Sequence, residues 1–103
     1  MPLQPFVFRK TVTEAGVRER LVESDIKVLS VTIQAIQDNT NDIYVGGGAV
    51  SSSRGIELDA LDSITFDAKG LGSGMEHISL KDIWIDADTN GEGVDVIVLE
   101  SVK

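Results

Sequence analysis

The sequence predicts an all-β fold: a single-domain β-sandwich or jelly-roll-like body of about seven to nine short strands. Three observations carry that expectation. β-Branched residues concentrate in short runs, as strands require. Gly, Asn, Asp and Ser separate the runs at intervals of about ten residues. Within the runs apolar and polar residues alternate with period two, and helical spacing is hard to find.

The first expected strand is Pro5 to Val12, with Phe6 and Phe8 on one face and Val7 on the other. Pro2 and Pro5 mark this end of the chain as an edge strand or an extended arm, because proline cannot donate to a ladder. After the turn Glu14-Ala15-Gly16, the second strand is expected over Val17 to Val22. The longest run is Ile26 to Gln37, where Leu29, Val31, Ile33 and Ala35 alternate with Ser30, Thr32 and Gln34. Asp38 to Asn41 turn the chain into a short strand, Ile43-Tyr44-Val45, which ends at Gly46-Gly47-Gly48. The loop Gly46 to Ser53 is made of small residues.

Ile56 with Leu58, and later Ile64 with Phe66, each place two apolar side chains on one face of a half-buried strand. Ala68 to Glu76 holds three glycines and little to bury, which reads as a loop, followed by a short strand or turn around Ile78 to Leu80. Ile83, Ile85 and Ala87 then alternate against Trp84 and Asp86. Thr89-Asn90-Gly91-Glu92 reads as a turn and Val94 to Leu99 as a returning strand. Together they predict a hairpin, since Asn-Gly suits a type I′ turn. Val94, Val96 and Val98 on one face, with Ile97 and Leu99 on the other, predict a last strand covered on both sides. Residues 1–25 are thus expected to form an N-terminal arm and first strands, and residues 26–103 the sandwich body, in one domain overall.

Length and composition narrow the function classes. At 103 residues the chain holds one core. No apolar stretch approaches the roughly 18 residues that span a bilayer, and Met1 to Lys10 lacks the order of a secretion signal, so no membrane association is expected. The absence of cysteine removes disulfides, thiolate catalysis and cysteine zinc sites together. A net charge of −8 repels a nucleic-acid backbone, so no nucleic-acid partner is expected. The charge is also uneven: residues 1–27 carry +1, with Arg9, Lys10, Arg18, Arg20 and Lys27, and residues 28–103 carry −9. A basic start of this kind can meet an acidic surface on a neighbouring subunit.

Candidate chemistry is sparse. Asp86-Ala87-Asp88-Thr89-Asn90-Gly91 spells the opening of an EF-hand calcium loop, but the twelfth position, where a bidentate Glu should close the site, is Ile97, and the flanks read as strands. A hairpin turn is the simpler reading, with a calcium site of another geometry, including Glu92, left open beside it. Ser51 to Ser53 lack the G-x-S-x-G pattern and following helix of a nucleophile elbow, and His77 reads as a surface or loop residue. One histidine and no cysteine leave no zinc set. No catalytic residue, metal ligand or cofactor is therefore expected, and the chain reads as a non-enzyme. The candidate interface residues are Phe6, Phe8, Arg9 and Lys10 on the N-terminal segment, together with Tyr44 and Trp84, the aromatics left for a surface; tryptophan is enriched at interface hot spots.

Six phrases, Ser30 to Ala35, Ile43 to Gly47, Ser52 to Leu58, Ser63 to Phe66, Ile83 to Ala87 and Gly91 to Val94, resemble, in their order, small virion structural proteins of tailed phages and prophages. The resemblance covers residues 29 to 99. It implies a β-sandwich or jelly-roll decoration, fibre-base, neck or tail protein, present in many copies on the capsid surface after synthesis in the host cytoplasm. The expected function is a capsid decoration, or cement, protein that stabilises the head by binding the major capsid protein or other virion subunits, as a homo-oligomer. The alternatives are a neck, tail or head-fibre component, and a carbohydrate- or ion-binding β-sandwich module using Tyr44, Trp84 and the Asp86 to Glu92 loop. Residues 1–28 match less clearly than the rest.

Overall fold

The computed structural model describes residues 3–67 and 78–101; the expected loop Ala68 to Glu76 and His77 lie outside the described residues. Ten strands are described: β1 (Leu3–Thr11), β2 (Glu19–Arg20), β3 (Lys27–Val28), β4 (Ser30–Ala35), β5 (Ile43–Gly46), β6 (Ile56–Leu58), β7 (Ser63–Asp67), β8 (Ile78–Ser79), β9 (Trp84–Ala87) and β10 (Gly93–Ser101), with a 3₁₀ turn at Leu80–Asp82. The fold is all-β, as the alternation predicts.

The pairings form one nested series, all antiparallel. β1 lies against β10, β2 against β9, β3 against β8, β4 against β7 and β5 against β6. The chain is thus a single long hairpin with its tip between β5 and β6. Two lateral ladders, β10 with β4 and β5 with β9, roll it up. The result is two four-stranded sheets, in the order β1-β10-β4-β7 and β2-β9-β5-β6, with β3 and β8 as a small separate ladder. This is the double-sheet roll by which antiparallel chains bury one face of every strand.

The core lies between the sheets. Val31, Ile33 and Ala35 of β4 and Val94, Val96 and Val98 of β10 point inward from the first sheet; Ile43, Val45, Leu58, Ile85 and Ala87 meet them from the second. Period two produces this directly, because alternate side chains share a face, and each buried Val, Ile or Leu contributes about 1.5–3 kcal/mol.

Four expectations need correction. The run Ile26 to Gln37 is not one strand: it divides at Leu29 into β3 and β4, which pair in different sheets. Val17 to Val22 contracts to the two residues of β2. Ile83 to Ala87 and Val94 to Leu99 do not form a hairpin, because β9 and β10 belong to opposite sheets and residues 88–92 cross between them. A type I′ turn needs positive φ at both central residues; only Gly91 has it, at φ 82°, and the Asn90 side chain instead accepts a bond from Ala15 N at 2.6 Å. Lastly, β10 is covered on one face only, with Ile97 43% exposed on the other.

The N-terminal segment is a strand of the body rather than a free arm: β1 pairs with β10 over nine residues, from Leu3 opposite Ser101 to Thr11 opposite Gly93. The bond from Ile36 N to Gly93 O fixes the parity of β10, whose odd residues bond toward β4 and whose even residues bond toward β1. The odd residues of β1 therefore turn their backbone groups to the outer edge. Pro5, which has no N–H to offer, sits at one of these positions, so the proline costs no ladder bond.

Where β10 begins, only glycine fits. A β-carbon on Gly93 would collide with the carbonyl oxygen of Lys10 and come within 2.6 Å of Thr11 Cα. Gly93→Ala should destabilise the fold by about 2 kcal/mol or more, since backbone rather than a pliable side chain must move. Gly47→Ala, with nothing within 4 Å of the added carbon, serves as the near-neutral control in thermal melting.

Candidate functional site

Of the five basic residues in the first 27, three are taken up within the chain. Arg9 Nε lies 2.7 Å from Asp95 Oδ1, Lys10 Nζ lies 2.7 Å from Glu19 Oε1, and Lys27 Nζ lies 3.9 Å from Asp25. Arg18 and Arg20 remain, with no ion pair among the described residues. Arg20 is the last residue of β2 and Arg18 immediately precedes the strand, and the ladder sets Arg20 opposite Trp84. Their guanidinium carbons stand 5.6 and 5.0 Å from the centre of the Trp84 ring, within the range of cation–π attraction, worth about 0.5–1 kcal/mol at exposed sites.

Trp84 is half-buried on the outer face of the second sheet, opposite Gly46 on its other side. Beyond it the loop Gly46–Gly48 adds no side chain, and a β-carbon on Gly48 would lie 3.6 Å from the indole Nε1. The loop, Val50, Arg54 and Gly55 line a shallow dip beside the ring. The outer face therefore presents an aromatic ring framed by two uncommitted cations on a chain of net charge −8.

The other expected interface residues are scattered. Phe6 and Phe8 share the inner face of β1, their ring centres 5.9 Å apart; Phe8 packs against the core while Phe6 is 51% exposed. Val7 and Ile97 are opposite one another on the outer face of the first sheet and both exposed; with Thr32, Gln34, Ser63 and Asp95 they line a shallow depression. Tyr44 is buried, and its hydroxyl donates to Asp88 Oδ2 at 2.8 Å, so it presents little surface.

The Asp86 to Glu92 segment is a clasp. Asp86 Oδ1 accepts from Gly16 N and Ala87 N, Asn90 Oδ1 from Ala15 N, and Glu92 from Thr40 N, the Thr40 hydroxyl and Asn41 N. Oxygens whose spacing resembles a calcium loop thus accept bonds from the loops after β1 and after β4, tying both to the crossover. Arg18 and Arg20 escape a reading of the sequence because their partner lies more than sixty residues away; the only local signal is their spacing around Glu19.

No protein-family model, no characterised protein and no solved structure matches this chain.

Two titrations test the clasp. The bond to Asp88, with burial and nearby carboxylates adding to it, pushes the Tyr44 hydroxyl up to about 12 from an ordinary 10.0. Because a raised acid favours folding only while protonated, its contribution is present below pH 10 and lost as the pH climbs toward 12. The chain has one tyrosine, so absorbance at about 295 nm should show tyrosinate appearing late and coincident with alkaline unfolding. Burial pulls the Glu92 carboxyl upward, but the donors from Thr40 and Asn41 outweigh it and hold the group below its ordinary 4.5. A depressed carboxyl stabilises above its unfolded pKa, and that stability is lost as the pH falls through the lower folded value. Glu92→Gln should therefore reduce the melting temperature at neutral pH and flatten its decline on acidification.

Proposed function

We propose that this chain is a virion structural protein of a tailed phage, acting as a capsid decoration protein that binds coat subunits and stabilises the head. The observation that carries the reading is the exposed apolar pair of Val7 and Ile97 on the outer face of the first sheet, at its β1 edge. It offers a rigid docking face to a larger neighbour, in the manner of interfaces that gain affinity from many modest contacts acting together. The phrases that resemble phage virion proteins support it: they coincide with β4, β5, β6, β7, β9 and the start of β10 and supply much of the core. Residues 1–28, where the resemblance is weaker, supply the edge strand and the arginine pair, the parts by which such proteins would differ in partner. Jelly-roll sandwiches include capsid proteins and lectins alike, so the architecture by itself names no function.

Copies carrying Val7→Ser with Ile97→Ser should bind purified undecorated particles at least about tenfold more weakly, a loss of about 1.4 kcal/mol, while melting within a few degrees of the parent, because both residues face outward. Unchanged particle binding would remove the pair from the interface. Binding of the parent to a glycan panel, with no binding to particles, would favour the carbohydrate module instead.

A further inference from the structure

We infer that the Trp84 face of one copy receives the Asp59–Asp62 turn of a second copy of this chain in a head-to-tail contact, with Leu61 against the indole and the flanking carboxylates facing Arg18 and Arg20. This goes beyond the virion reading and does not require it.

The inference begins at Leu61. It is the one non-glycine residue with positive φ among the described residues, at 70°, in a conformation that disfavours any side chain with a β-carbon. It is also 54% exposed. The turn is held firmly all the same: Leu61 N donates to Ala35 O, Asp62 N to Asp59 O, Asp59 N to Asp62 Oδ2, and Gln34 Nε2 to Leu61 O. A large apolar side chain is therefore fixed in solvent at the tip of a strained turn where glycine would be easier. Strain of that kind persists where the surroundings impose it and gathers at contact sites.

The two surfaces are complementary. The tip is leucine rimmed by Asp59, Asp62 and, across β6, Glu57; the receiving face is tryptophan rimmed by Arg18 and Arg20. The neighbouring Asp42 carboxyl holds that of Asp59 above its ordinary value; a cation from outside would relieve this crowding. Arg18 and Arg20, for their part, have no carboxylate partner among the described residues. The turn follows β6, while Arg20 lies on β2 and Arg18 just before it, at opposite edges of the second sheet, three strand spacings or about 14 Å apart. One copy thus cannot satisfy its own pair of surfaces. A contact between unlike surfaces leaves one of each free on every pair of copies, and propagates until a ring closes or a filament grows.

Sedimentation of the full chain up to about 1 mM, the weak end of specific association, should show concentration-dependent assembly that weakens in high salt, with a change in emission from Trp84, the only tryptophan. Leu61→Gly removes the plug and the strain together, so it should melt at the same or a higher temperature yet associate at least tenfold more weakly. Leu61→Asn, whose side chain tolerates positive φ, serves as the second plug variant if glycine loosens the turn. Arg18→Glu, at an exposed position, breaks the receiving face. Each variant alone should stay monomeric, while a mixture of Leu61→Gly and Arg18→Glu should form a one-to-one pair that grows no further, since one intact plug and one intact face remain. A parent that is monomeric throughout, a plug variant that assembles like the parent, or a mixture that forms no pair would each overturn the inference.

Discussion

The antiparallel pairing of β1 with β10 is the constraint on which the rest of the molecule depends. It brings Leu3 opposite Ser101, the two ends of the described chain, and every later pairing is nested inside it. Inside that outermost ladder β2 pairs with β9, β3 with β8, β4 with β7 and β5 with β6. The lateral ladders, β10 with β4 and β5 with β9, then turn a long hairpin into two facing sheets with one dry interior. Gly93 is where this constraint is tightest, because the backbones of β1 and β10 approach too closely there for any side chain. Such pairing is almost wholly non-local, so the chain must close long loops before it gains contacts, the situation in which folding is slow.

Polar bonding secures the crossovers that this topology makes necessary. A roll needs connections that leave one sheet and enter the other, and residues 88–92 are such a connection. They carry side-chain oxygens at nearly every position, and these accept backbone N–H groups from the loops after β1 and after β4. In a loop, where no ladder partner exists, buried or half-buried N–H groups still need acceptors. Asp86, Asn90 and Glu92 supply them, which accounts physically for a run of acidic and amide residues that resembles a calcium loop.

Charge is divided between internal and external use. Arg9 and Lys10 pair with Asp95 and Glu19 and help register β1 on the body; ion pairs at a protein surface act on geometry more than on stability. Arg18 and Arg20 stack on Trp84 instead. Stacking restrains the guanidinium groups while leaving their N–H donors free, so less side-chain entropy remains to be lost when a carboxylate arrives.

The sequence by itself determined the all-β class, the inward faces of β4, β7 and β9, and the outward position of Trp84, because period-two alternation is a local property that survives any choice of partner strand. It also marked Pro5 as belonging to an edge. Only the tertiary structure decided which strands pair. Asn90-Gly91 reads as a hairpin locally, yet β9 and β10 part company because the nested pairing offers each a better partner in a different sheet. The break at Leu29, the burial of Tyr44 beneath its bond to Asp88, and the meeting of Arg18 and Arg20 with Trp84 have the same origin. Each depends on residues distant in the chain, and no local pattern of side chains encodes which of several compatible strands will lie alongside.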